Sequence, residues 1–165
     1  DDGGYDLLIL AAAGLRRLGF ADRISVAIDV TACVPAPGQG IIAIETRTED
    51  RDTLAALTPV NDTAATAALT AERALVRALG GGCQVPIGAF AETLDGRLHL
   101  RAVVASLDGS QMLRREASQT VESADALGAS VAASLLEDGA GPMLQAAQDS
   151  ATQETGDRSQ ESGEI

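Results

Sequence analysis

The stretch Ala78–Phe90 reads ALGGGCQVPIGAF and sets one thiol, Cys83, behind three glycines and ahead of Pro86. A thiol in such a loop is accessible to something large and flat. Glycines on the approach allow positive φ and let a bulky group come near the sulfur, and Pro86 stiffens the exit. Spacing alone also permits a plainer reading, in which Gly80–Gly82 form an overlong helix stop and Cys83 is a small buried hydrophobe. The second cysteine, Cys33, matches no functional pattern. With no CxxC pair and only one histidine, His99, the chain has too few ligands for a structural zinc site, and no metal is expected.

The 165 residues carry a formal charge of −12, and all twelve basic residues are arginine. The acidic balance argues against nucleic-acid binding, which needs a basic surface to neutralise phosphates. Exclusive use of arginine has two readings. One is codon bias in an alanine-rich chain. The other is a set of bidentate carboxylate receptors, where lysine fits less well. No signal peptide is recognisable and no apolar run is long enough to span a membrane, so a cytoplasmic protein with free thiols is expected, although two cysteines also allow one disulfide.

The elements that would position these groups can be read along the chain. Leu7–Ala13 is a continuous apolar run that suits a strand buried on both faces, followed by a short helical turn through Leu15-Arg16-Arg17-Leu18 that stops at Gly19. Arg23–Val30 reads as a second strand. Pro35, Pro37, Gly38 and Gly40 force an irregular loop, after which Ile41, Ile42 and Ile44 resume a buried strand. TEDRDTLAALT is a short helix with acidic residues near its start. Asn61 or Asp62 caps a helix that runs to Leu79, with Ala68, Ala71, Leu75 and Leu79 as its inward stripe, Val76 beside it and Gly80 as terminator. Three antiparallel strands follow. Val85, Ile87, Ala89 and Ala91 share one face of the first, and Asp95-Gly96 makes the hairpin turn. In the second, Leu98, Leu100, Ala102 and Val104 oppose Arg97, His99 and Arg101. A helix over Ala124–Glu137, capped by Ser123 and ended by Gly139, covers the apolar face with Leu127, Val131 and Leu135. Pro142 opens a last short helix, and the polar C-terminus reads as disordered.

Three collinear motifs carry a resemblance. AERALVRALGGGCQVPIGAFAE, YDLLILAAAGLRRLG and VPAPGQGIIAIETR are similar, in order, to segments of the porphobilinogen deaminase (hydroxymethylbilane synthase) family. The resemblance covers about residues 5–147. It implies a transferase of tetrapyrrole and haem biosynthesis that condenses four porphobilinogen molecules, with loss of ammonia, on a dipyrromethane primer joined through a thioether to one loop cysteine. Cys83 matches that cysteine. Arg17 matches an arginine that binds the pyrrole acetate and propionate groups, beside the plainer possibility of a surface arginine. Gln39 and Gly40 match a Gly-Gln-Gly loop near the cofactor, beside that of a structural turn. The aspartate that works on the pyrrole nitrogens has no counterpart here, so no catalytic residue is expected in this chain.

The fold expected is α+β: a three-stranded antiparallel sheet covered by helices, preceded by strands and helices left from a periplasmic-binding-protein-like two-domain α/β core. Residues 1–34 resemble the end of a second catalytic domain, 35–58 a crossover and return to a first, and 61–148 the cofactor-attachment domain, with 149–165 as tail. The start DDGGYDLLIL, without an initiator Met, is expected of a C-terminal fragment that is inactive alone and lacks its N-terminal domains. The expected partners are porphobilinogen and the growing tetrapyrrole, and the intact protein is expected to be a monomer. Two rival functions remain at this level: a non-catalytic pyrrole-binding or interaction module, and a redox-sensing thiol domain.

Overall fold

Asp62 starts the helix around which the C-terminal part is built. Its carboxylate accepts hydrogen bonds from the Ala64 and Ala65 amides at 2.9 and 3.0 Å, which satisfies two of the otherwise unpaired donors of a first helical turn. A computed structural model describes residues 4–81 and 85–161, with side chains as far as Thr152. Helix α3, Thr63–Ala78, follows two short helices, α1 (Ala12–Arg17) and α2 (Arg51–Leu57). Then come strands β1 (Ile87–Leu94), β2 (Arg97–Ala105) and β3 (Met112–Thr120), and helices α4 (Ala124–Glu137) and α5 (Ala140–Glu161). The chain divides into two units, Asp1–Cys33 and Val34–Ile165.

The strands form an antiparallel meander in the order β1-β2-β3, with Ala91 opposite Leu100 and Leu100 opposite Ala117. Asp95 and Gly96 turn the first hairpin with φ of 50° and 75°, the left-handed pair that matches strand twist. Period-two alternation on β2 sends Leu98, Leu100, Ala102 and Val104 into the core, each at most 2% exposed. Arg97, His99 and Arg101 lie on the other side, where Arg101 pairs with Glu92 and Glu116. Helices α3 and α4 cover the apolar face with Ala71, Leu75, Leu127, Val131 and Leu135. Each fully buried leucine contributes about 1.5–3 kcal/mol relative to exposure. The two helices approach closely at Gly128, where an added Cβ would collide with the Ala71 carbonyl oxygen and lie 2.7 Å from the Ala74 Cβ.

Several expectations are corrected. The apolar runs do not form strands among the described residues. Residues 7–11 carry no regular secondary structure and are exposed, with Leu7 at 74%, and α1 begins already at Ala12. Residues 24–29 and 41–47 likewise carry no regular secondary structure, and Ile42 is 86% exposed. A strand buried on both faces needs neighbours on both edges, and no described residue supplies them. In the stripe of α3, Ala71, Leu75 and Leu79 are buried and Val76 lies beside them as expected, but Ala68 only flanks the core, and Ala67, Glu72 and Ala74 are buried as well. Ser123 occupies the cap position of α4 but makes no capping hydrogen bond; its hydroxyl lies 3.2 Å from that of Thr120. Helix α5 is longer than the short helix expected. Pro142 falls in its first turn, where no intrahelical donor is lost, and the helix runs on to Glu161, into the segment expected to be disordered.

Candidate functional site

The loop that bears Cys83 is bounded by two well-anchored stems, while Cys83 itself lies outside the described residues. Gly80 ends α3 at φ +67°, the left-handed conformation that favours glycine at this position, and nothing lies within 4 Å of where its Cβ would stand. Its amide donates to the Arg77 carbonyl at 3.2 Å, and its own carbonyl accepts from Gln148 Nε2 of α5 at 3.0 Å. Gly81 follows with its amide on the Val76 carbonyl. An added Cβ there would sit 2.9 Å from Ile87 Cδ1 and 3.1 Å from Val85 Cγ2, so this glycine permits close packing. On the far side, the Ala105 amide donates to the Pro86 carbonyl at 3.1 Å. The helix-stop reading therefore accounts for Gly80, and packing accounts for Gly81.

The second segment is the crossover loop. The Gln39 amide donates to the Ala36 carbonyl and the Ile41 amide to the Gly38 carbonyl, with Gly38 and Gly40 at φ +74° and +88°. This tight double turn hangs on the open edge of β1. The Ala89 amide donates to the Pro35 carbonyl at 2.9 Å, and the next edge amide, that of Ala91, donates to Glu72 Oε1 at 2.8 Å. The other oxygen, Oε2, accepts from the Gly38 amide at 2.6 Å. Glu72 is 6% exposed and is the one charged side chain buried among the described residues. Burial pushes its carboxyl above the ordinary range, against the pull of the Gly38 and Ala91 hydrogen bonds.

The Glu72 contact was not legible as a functional feature in the sequence. Its signal there is a carboxylate one residue after Ala71 in an otherwise apolar helix stripe. Its partners lie 34 residues upstream and 19 downstream, out of reach of any local pattern. Beside it, a groove of about 520 Å³ runs between Pro37, Gly38, Ile41 and α3, with Arg73 and Arg77 on its rim. Arg77 also pairs with Asp125.

Arg17 is described in the first unit, in the last turn of α1 beside Arg16, and both are exposed or nearly so. Gln39 and Gly40 are described in the second unit. The Gly38 amide on Glu72 thus ties the turn that holds Gln39 and Gly40 to α3, and Arg17 is described in the other unit. Cys33 is exposed, and its thiol is free. His99 lines a shallow depression of about 210 Å³ on the outer sheet face with Phe90, Arg101 and Glu116. No cluster of three metal-ligating side chains occurs among the described residues, and no described helix is long and apolar enough to cross a membrane.

Comparison with known proteins adds two family matches. Residues 1–55 match the model described as "Porphobilinogen deaminase, dipyromethane cofactor binding domain", and residues 66–137 match "Porphobilinogen deaminase, C-terminal domain". Arg17, Gln39 and Gly40 fall in the first match and Cys83 in the second. The chain is 49% identical over 144 residues to a porphobilinogen deaminase of Desulforudis audaxviator, covering 87% of this chain and 47% of that one. It is 49% identical over 146 residues to that of Chromobacterium violaceum and 45% over 146 to that of Laribacter hongkongensis, covering 88% of this chain and 47% of each relative. The chain spans about half the length of the curated relatives it matches.

Proposed function

The chain belongs to the porphobilinogen deaminase family, and from that premise we propose that it is the C-terminal part of a hydroxymethylbilane synthase. The observation that carries this reading is collinearity. Both domain matches occur in one chain and in order, and the three motifs around Arg17, Gln39 and Cys83 fall within them.

In this reading, Cys83 holds the dipyrromethane primer. Its thiol loses a proton, and the sulfur forms one carbon–sulfur bond to an electrophilic methylene generated when a porphobilinogen unit expels ammonia. When bound, dipyrromethane supplies the free pyrrole end onto which further units condense. The described stems fit such a role. Both are hydrogen-bonded to the rest of the packed part. Arg17 pairs with the acetate and propionate groups that accumulate as the chain grows, as a fixed guanidinium fork suits carboxylates. Gln39 and Gly40 present a rigid turn near the cofactor.

The exposed apolar segments at Leu7–Leu10 and Ile41–Ile44 support a second element of the reading. In this reading they become strands of two periplasmic-binding-protein-like domains only in the complete gene product, paired with sequence that the relatives have in addition, where the catalytic aspartate also lies. The experiment is intact-mass measurement of the complete gene product. A dipyrromethane adduct is expected, and Cys83→Ser should abolish it together with turnover. An active enzyme without the adduct would overturn the assignment of Cys83.

A further inference from the structure

A buried carboxylate is costly, and a leucine or methionine at position 72 would pack α3 against the sheet at lower expense of desolvation. Such a residue would leave two main-chain donors without partners. The Gly38 and Ala91 amides belong to segments 53 residues apart in sequence, and each finds its acceptor on a different oxygen of Glu72. An ionised carboxylate is acceptor-only at both oxygens, so it serves two N–H donors at once. Glutamine offers one acceptor and would turn its own NH₂ toward the other amide. Aspartate is one methylene shorter and cannot reach both.

We propose that Glu72 is a positioning residue: its carboxylate ties the Gly38-Gln39-Gly40 turn to the helix and strand that flank the Cys83 loop, and so fixes the turn relative to the attached primer. The inference rests on the reading of Cys83 and Gln39 given above. The helix that carries Glu72 ends at the loop stem, where the Gly81 amide bonds Val76 one turn further on. The strand that carries Ala91 begins at Ile87, just after the other stem. Each anchor of the turn is thus continuous with one side of the loop.

The test compares Glu72→Gln with a core variant, Val131→Ala, in the complete gene product, both assayed well below their melting temperatures. Hydrogen exchange at one at least of the Gly38 and Ala91 amides should speed up about tenfold or more in Glu72→Gln, the consequence of losing a charge-assisted hydrogen bond. Turnover should fall about tenfold while KM for porphobilinogen changes by less than about threefold, the pattern of a group that acts on arrangement more than on binding. The adduct on Cys83 should persist by intact mass. The proposal is overturned if the two amides stay protected, or if turnover falls no further than in Val131→Ala. Absence of the adduct from the wild-type protein would overturn the Cys83 assignment and this proposal together, a result distinct from failure of Glu72 alone. Should Glu72→Gln fail to fold, Glu72→Asp carries the same comparison, with loss of protection at one amide of the two.

Discussion

The N-terminal third of the chain and the helix–sheet part hold comparable apolar runs and treat them in opposite ways. Leu7, Leu8, Ile9 and Leu10 stand 59–74% exposed, whereas Leu98, Leu100, Leu127 and Leu135 are essentially inaccessible. The side chains are of one kind, so hydrophobicity does not separate the two. What separates them is partnership for the main chain. β2 lies between two strands that satisfy its amides and carbonyls on both edges, and two helices close its apolar face. Residues 7–11 have no ladder, and an apolar segment whose peptide groups must stay hydrated cannot be buried without a cost similar to what its side chains would gain.

That contrast is sharpest in a pair of truncations. Leu127→Ala should lower the unfolding free energy of the chain by about 3 kcal/mol, as cavity formation in a packed core does, whereas Leu8→Ala should change it by less than about 0.5 kcal/mol, as exposed sites do. In the complete gene product, Leu8→Ala should become clearly destabilising, on the order of 2 kcal/mol. Urea unfolding of the three variants beside their two parent proteins checks this, and a Leu8 variant that stays neutral in the longer protein would break the comparison.

A smaller effect concerns charge within the packed part. The folded-state pKa of Glu72 lies above its ordinary value of 4.5, chiefly because of burial. The folded state therefore holds that proton more tightly than the unfolded chain. The resulting stabilisation is present at low pH and is lost as pH rises from about 4.5 through the raised value. The stability of the wild type relative to Glu72→Gln should accordingly decline over that interval. A flat difference from pH 4 to 7 would mean that the carboxyl is hydrated and the contact looser than described.

The smallest effect lies at the second hairpin turn. Asp108 accepts from the Ser106 hydroxyl and from the Ser110 amide and hydroxyl, which hold its pKa down at about 2. The sign is opposite to that of Glu72. The contribution is present above the ordinary carboxylate value of 3.8 and is lost as pH falls through about 2. Because the group is fully exposed, Asp108→Ala should leave the melting temperature nearly unchanged at neutral pH and register only as broadened amide signals of Ser106 and Ser110.

Much of the packed part was legible in the sequence because its signals are local. The β2 alternation from Leu98 to Val104, the Asp95-Gly96 turn, the Gly80 stop and the bounds of α4 each follow from a period or a turn residue within a few positions. Other features depend on what lies across space. Alanine dominates α3, so its phase is blurred, and the buried stripe turned out to include Ala67 and Ala74 in place of Ala68. The runs at residues 7–13, 23–30 and 41–44 carry a strand's composition without a strand's neighbours. In the candidate site, motifs pointed to Gln39, Gly40 and Cys83, while Glu72 emerged only once Gly38 and Ala91 were seen on its two oxygens.

The arrangement along β1 has a consequence for self-association. A meander of three strands has two free borders, each able to template another chain. One is occupied by Pro35 and Glu72 of the same molecule, and the other presents Arg114, Arg115 and Glu116 to solvent. Detaching the crossover would unmask the alanine-rich border for strand addition by another chain, so the segment that serves the proposed site also covers an edge of the sheet.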